Sequence, residues 1–482
     1  MTGSRVARHK TALTRTALSR PVATALADGI LGPGQSLFDY GCGKGDDIRN
    51  LTALGYEADG WDPGHRPEAR RTPASVVNLG YVVNVIEEPD ERRAVLQSAW
   101  DLTDRVLVLS ARMKWDARDL AGRPMSDGLV TRTGTFQKFY EQAELAAWIE
   151  DVLGVTPRAA APGIFYIFRD ETDAQCFVAS RVYSYRPRVV IDLHARYEGV
   201  KDVVEPLLRF MQHHARAPRG DELPSDVVGK IRSELGSVRQ AQRLIRTVTD
   251  DNYWTEVTRY RRADLLTYVA LSRFGGRPRF AELDRSLALD IRTLFGSYRE
   301  VCAQADRLLA MCGDQAMLFM NARSSAIGKQ TPSALYVHRS AVSAMPPVLQ
   351  VYEGCARVLA GTVASANIIK LSVAEPQVSY LAYTNFERDA HPTLESAVTV
   401  NLRKRTVEFR DYSKSENPPL LHRKEEFLRS DDPRRPLYER LTRAEVRAGL
   451  YERPELIGTL RGWQGVLSSA GVVCRGHRLV RA

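Results

Sequence analysis

Cysteine is scarce: six in 482 residues, at Cys42, Cys176, Cys302, Cys312, Cys355 and Cys474, with no C-x-x-C pair among them. That spacing carries no zinc or iron–sulfur signature, so free thiols and no bound metal are expected. Long hydrophobic runs are also missing. No stretch approaches the roughly 20 apolar residues that a membrane-crossing helix needs, and no charged-then-apolar leader opens the chain. The expectation is a soluble, cytoplasmic protein without a membrane partner. Negative charge is absent from the first 27 residues, which hold Arg5, Arg8, His9, Lys10, Arg15 and Arg20 but neither Asp nor Glu. With Leu13, Ala17 and Leu18 as a modest apolar stripe, this segment reads as a basic amphipathic helix that Pro21 ends or kinks. Such a helix can grip phosphates or cover a cleft.

A chain of this length exceeds one ordinary core, so two or three domains are expected. The stretch from Ser36 to Asp62 organises the first of them. Leu37, Phe38 and Tyr40 form an apolar strand carrying Asp39, which runs into Gly41-Cys42-Gly43-Lys44-Gly45. A helix-like segment follows to Leu54, closed by Gly55, and a second strand from Glu57 to Trp61 delivers Asp62. An acidic residue about 20 positions beyond a glycine turn is placed to receive ribose hydroxyls.

Charge indicates which nucleoside cofactor. A dinucleotide lays its pyrophosphate on the N-terminus of the first helix, where free N–H groups and the helix dipole attract anions. Asp46 and Asp47 stand in that first turn. They repel a diphosphate but tolerate S-adenosylmethionine (SAM), which carries a sulfonium and an ammonium. The Gly-x-Gly-x-Gly turn after an acidic strand resembles motif I of class I SAM-dependent methyltransferases. Asp39, Gly41, Cys42, Gly43, Gly45, Asp62, Asn78 and Tyr81 make up the expected cofactor site.

Pro63 to Ala74 is too short for the strand and helix of a full Rossmann half. A buried strand, Ser75 to Leu79, then leads into Gly80-Tyr81-Val82-Val83-Asn84-Val85-Ile86-Glu87, where a transferred group should meet its acceptor. Asn84 and Glu87 are candidate catalytic groups, with a helix cap and core packing as the plainer roles. Arg92 to Leu102 reads as helix and Arg105 to Ser110 as strand. Pro124 to Tyr140 reads as a polar loop, in which Lys138 is a candidate base or acceptor-orienting charge. Its three aromatics can stack a base or wedge the loop onto the core. Glu141 to Leu153 and Gly163 to Phe168 complete an α/β, Rossmann-like domain over residues 1–181.

From 182 to 329 the strand signals vanish and successive amphipathic helices are expected. Val227 to Val248 carries Lys230, Arg232, Arg239, Arg243 and Arg246 with Glu234 as its acid, and Asn252 to Phe274 mixes Tyr253, Trp254, Tyr260 and Tyr268 with Arg259, Arg261, Arg262 and Arg273. Together with a net charge of +10, two basic segments in a row favour a nucleic-acid partner, though helical spacing also explains the aromatics as core. Residues 330–482 return to a mixed α+β domain. Asn417-Pro418-Pro419-Leu420 lies too far downstream, and lacks the aromatic, to serve as an amine methyltransferase motif, and reads as a turn. The charged run from His422 to Phe427 reads as a helix start, with phosphate binding as the alternative.

Six segments together resemble one family: Arg8-His9-Lys10-Thr11-Ala12, Phe38 to Asp47, Asn78 to Ile86, Thr135 to Lys138, Pro162 to Tyr166 and Asn417 to Glu425. They are similar to the DNA phosphorothioation-associated methyltransferases. The resemblance spans nearly the whole chain. It implies a bacterial protein linked to systems that replace a phosphate oxygen of DNA by sulfur, with DNA before RNA as partner and proteins of that system as further partners. A SAM- or DNA-binding adaptor and a small-molecule methyltransferase are the rival expectations.

Overall fold

Alternating apolar strands and amphipathic helices dictate a sheet covered on both faces, because a parallel strand must bury both of its sides. The computed structural model, describing residues 11, 15–117, 122–182 and 199–482, has that arrangement. Helix α1 (Arg20–Ala27) precedes strand β1 (Ser36–Tyr40), helix α2 (Asp46–Ala53), β2 (Glu57–Trp61), β3 (Ala74–Gly80), α3 (Pro89–Asp101) and β4 (Thr103–Ser110). A small sheet of β5 (Gly122–Met125), β6 (Gly128–Thr131) and β7 (Phe136–Gln137) follows. Then come α4 (Gln142–Leu153), β8 (Arg158–Ala161), β9 (Ile164–Phe168) and α5 (Glu171–Val182). The main sheet runs β2-β1-β3-β4-β9-β8. Its first four strands are mutually parallel, and β9 runs against both β4 and β8. The sheet is thus mixed, α/β and Rossmann-like.

Side chains of period two divide the core. Phe38, Tyr40, Val77, Leu79, Leu107 and Leu109 pack with Leu96, Trp100, Leu145 and Ile149 of α3 and α4 on one face. Leu37, Val76, Val106 and Val108 meet Val22, Ala25 and Phe177 of α1 and α5 on the other. Residues 63–73 hold no strand or helix, so β2 is the sheet edge.

Two expectations are corrected here. Pro21 does not end a helix. It sits in the first turn of α1, where a missing N–H costs nothing, and the basic helix expected ahead of it falls largely on residues outside the described ones. Pro124 to Tyr140 is not a loop either, since it forms β5–β7, with Phe136 and Tyr140 fully buried as core wedges.

Seven α-helices among the described residues, from Lys201–His214 to Gln315–Arg323, fill the middle of the chain. The segment Val227 to Val248 is two helices, Ser225–Leu235 and Val238–Val248, broken at Gly236 with φ +79. A buried ionic network ties the helices together. Asp290, with no exposed surface, accepts from Arg216 Nε at 2.6 Å, from Arg261 and from His214 Nδ1 at 3.0 Å. Further on, β10 (Lys329–Gln330), β11 (Ala334–His338), β12 (Ile368–Ser372), β13 (Gln377–Tyr383), β14 (Leu394–Asn401) and β15 (Thr406–Asp411) form an antiparallel sheet in sequence order. Helix Pro347–Ala360 packs on it and on helix Asp251–Ser272, so closely that a side chain at Gly354 would lie 2.4 Å from Leu271. A short hairpin, β16 (Val472–Arg475) with β17 (Arg478–Arg481), ends the chain. No helix among the described residues is long and apolar enough to cross a membrane.

Candidate cofactor cleft

Strand order reverses between β1 and β3, and an open α/β sheet binds its ligands beyond the carboxyl ends of the strands at such a point. Here β1 turns sharply. Gly41 and Cys42 both donate their N–H to the Trp61 carbonyl, at 2.7 and 3.1 Å, which folds the chain back over β2. Gly41 has φ +86, and a Cβ there would lie 2.5 Å from Val82 Cγ2. Only glycine fits this corner. Gly45, at φ +75, turns the chain into α2.

Asp62 organises the opposite lip. Its Oδ1 accepts from the N–H groups of Gly64 and His65, both at 2.9 Å, and lies 3.1 Å from His65 Nδ1. Its Oδ2 accepts from Gly43 N at 3.1 Å. A carboxylate oxygen has two lone pairs, so Oδ2 retains capacity for a hydroxyl.

A cavity of about 460 Å³ opens between these elements, lined by Asp39, Gly41, Cys42, Gly43, Asp46, Asp47, Asp62, Asn78 and Tyr81 among others. Its acidity is the decisive property. Asp39 is buried and accepts from Asn78 Nδ2 at 2.8 Å. Burial first, and then the nearby charge of Asp47, push its pKa up to about 7 against the opposing pull of Asn78 and Arg15. Asn78 keeps a buried Oδ1 with no partner. Burial and the charge of Asp39 push the Cys42 thiol up to about 12, which favours the thiol over the thiolate. Tyr81 stands at φ +59, with its N–H donated to the Ser110 carbonyl at 3.0 Å.

Of the residues expected from sequence, Asp39, Gly41, Cys42, Gly43, Asp62, Asn78 and Tyr81 come together on this wall, with Gly45 just behind it. Asn84, Glu87 and Lys138 stand outside the lining. Asn84 is buried and donates to Gln137 Oε1 at 3.1 Å. The Glu87 carbonyl accepts from Arg92 Nη2 at 3.4 Å. Lys138 Nζ is held by Asp127 at 2.8 Å and Glu144 at 2.9 Å.

Other cleft residues lie outside that set, although a cleft-covering N-terminal segment is one of the two readings the sequence allows. Thr11, Arg15, Ser19 and His65 line the cavity too. The Arg15 and Ser19 N–H groups are held by Asp46 Oδ2 at 2.6 Å and Asp47 Oδ1 at 2.7 Å. The two carboxylates therefore hold Arg15 and Ser19 at the cleft as well as charging it. The donors are backbone N–H groups, which every residue but proline carries, so nothing in the sequence links them to these carboxylates.

Elsewhere, the described residues bring His391, Glu445 and Cys474 within 4.8 Å of one another, a donor set that cysteine spacing did not reveal. His391 Nε2 and Glu445 Oε1, 2.8 Å apart, already satisfy each other. The basic segments divide. Arg259 pairs with Glu256, Arg261 with Asp290 and Arg273 with Asp306, and Arg262 bonds the Leu294 carbonyl. Trp254 and Tyr268 are buried core. Lys230, Arg232, Arg239 and Arg243, by contrast, are exposed, and no ion pair holds them among the described residues.

No family model matches the chain, and no curated protein does. Solved structures similar to it include the glycopeptide N-methyltransferase MtfA, at 8% identity over 33% of this chain and 94% of that one, with a TM-score of 0.23. Another is the CcbJ methyltransferase from Streptomyces caelestis, at 13% identity over 34% and 96%, with a TM-score of 0.25. MtfA in complex with SAM is a further match, at 12% identity over 32% and 98%, with a TM-score of 0.22. These are partial likenesses of fold, and the cleft is read on its own chemistry.

Proposed function

We propose that the chain is a SAM-dependent methyltransferase of the class I type. The observation that carries this reading is the acidic cavity at the strand-order reversal, where Asp39, Asp46, Asp47 and Asp62 gather around a glycine corner. A diphosphate would meet two carboxylates in the first turn of α2 instead of free N–H groups. A ligand bearing a sulfonium and an ammonium gains from the same charges.

The residues fit that cofactor. Asp39, near neutrality when the cleft is empty of cations, ionises against an ammonium and so binds it more tightly as pH rises through about 7. Asp62 Oδ2 offers its remaining lone pair to ribose hydroxyls, while Gly41 and Gly43 leave room for the ligand to approach the backbone. When bound, SAM supplies an electrophilic methyl group whose departure from sulfonium neutralises a charge. Tyr81 and Val82 wall the side of β3 from which an acceptor would enter, and rate then depends chiefly on holding that acceptor in line.

The acceptor we propose is nucleic acid, DNA before RNA, in the phosphorothioation setting that the sequence resemblance implies. Exposed Lys230, Arg232, Arg239 and Arg243 support a polyanionic partner. That Asn84, Glu87 and Lys138 stand off the cavity wall favours a second reading, a SAM-binding adaptor without turnover. Incubation with methyl-labelled SAM and separate pools of cellular DNA, RNA and metabolites tests both. Label in DNA supports the first reading, SAM binding without transfer supports the second, and no SAM binding with clear NAD uptake refutes both.

A further inference from the structure

The segment Asn417 to Phe427, read from sequence as a turn and a helix start, is extended in its first part. Pro419 bridges to Thr459 and Leu420 to Thr393. It then forms one wall of a second cavity of about 430 Å³, away from the cofactor cleft. Tyr336, Tyr383, Phe427 and Tyr451 supply its aromatic lining, and Lys329, His422 and Arg423 its polar groups.

His422 belongs to the packing of this wall, whereas Lys329 and Arg423, each about a third exposed, are open to a ligand. His422 is only 8% exposed. Its Nε2 lies 2.6 Å from the Ile457 carbonyl oxygen, which places the ring proton on Nε2 and leaves Nδ1 a bare acceptor. That Nδ1 has no partner, and the ring is enclosed by His391, Tyr451 and Trp463, with centroids 4.6 to 5.8 Å away. Arg423 adopts φ +53, a left-handed conformation unfavourable for a side chain of its size, and its guanidinium lies 4.5 Å from the Tyr451 ring centroid. Strain of this kind clusters at ligand sites, where surrounding structure imposes it. Lys329 and Arg423 share one carboxylate, Glu426, at 3.1 and 3.3 Å, so the rim keeps a net positive charge.

A ligand suited to this aromatic, cationic lining is flat and aromatic and carries an anion. We propose that this cavity binds a nucleotide unit, with its base on the wall of Tyr336, Tyr383 and Phe427 and its phosphate on Lys329 and Arg423. Aromatic faces stack any base, and arginine is suited to phosphate recognition. The unit can be a free nucleoside monophosphate or one nucleotide of a strand.

The test uses the full chain in two arms, calorimetry with the four nucleoside 5′-monophosphates and fluorescence anisotropy with a labelled single-stranded oligodeoxynucleotide. The comparison is the double variant Arg423→Gly, Lys329→Gln. Glycine relieves the positive φ, so the variant folds, which its thermal midpoint checks. A monophosphate binding to the parent at least tenfold more tightly than to the variant assigns a free nucleotide. The same difference for the oligonucleotide alone assigns a strand. Absence of binding in both arms, or binding that the double variant leaves unchanged, overturns the proposal.

Discussion

Replacing Asp39 by Asn removes a charge and little else, because Asn Oδ1 can still accept the hydrogen bond from Asn78 Nδ2. Asp39 titrates at 3.8 when unperturbed and at about 7 in the folded chain, raised chiefly by burial. A group whose pKa is raised on folding contributes its full stability below the unfolded value and loses it as pH rises through the folded one. Each pKa unit is worth about 1.4 kcal/mol. Asp39→Asn is therefore expected to gain about 4 kcal/mol over the parent at pH 8, about 2 kcal/mol at pH 5.5 and under about 1 kcal/mol at pH 4. Urea unfolding at pH 5.5 and 8, at constant ionic strength, measures the difference. SAM affinity should move the other way, being lost in the variant and falling in the parent about tenfold per pH unit below 7. A variant no more stable at pH 8 than at pH 5.5 relative to its parent, or one that keeps parental SAM affinity, refutes the reasoning about this carboxylate.

Gly41→Ala combines a positive φ with the Val82 contact. It should cost at least about 2 kcal/mol and abolish SAM binding, while Val82→Ala added to it should recover stability in part, as urea unfolding would show. Lys138→Met removes the partner of Asp127 and Glu144. Thermal unfolding should register a loss of about 1–2 kcal/mol, with methyl transfer within about twofold of the parent, and a collapse of turnover with SAM affinity intact would restore Lys138 as a catalytic group. Asp290→Asn breaks the charge balance of Arg216, Arg261 and His214 and should cost about 3–5 kcal/mol. Burial raises the Asp290 pKa, but the His214 and Arg261 contacts outweigh it and hold it below the usual carboxylate value. Stability from this network is thus present above pH 4 and lost as pH falls further.

The cofactor corner was legible because all its information is local. A strand, a glycine turn, a helix and a second strand lie within Ser36 to Asp62, and chirality and hydrogen bonding leave such a stretch few ways to fold. Lys138 shows where legibility stopped. The segment around it reads as one loop because β5–β7 are strands of two to four residues, too short for alternation to register, and its ion partner Asp127 comes from the neighbouring turn. The pairing of the arginines of Asn252 to Phe274 is hidden for a related reason: periodicity shows that a helix has a face, not which carboxylate stands opposite it.

The sequence by itself determined the first domain's strand-turn-helix unit, its carboxylates and the helical character of the middle region, since each depends on spacing within a few turns of chain. Only the tertiary structure decided which charges were consumed internally, that Asp46 and Asp47 hold Arg15 and Ser19, and that Asn417 to Phe427 walls a cavity. Those outcomes rest on burial and pairing between residues distant in the chain, and long-range contact has no signature in local spacing.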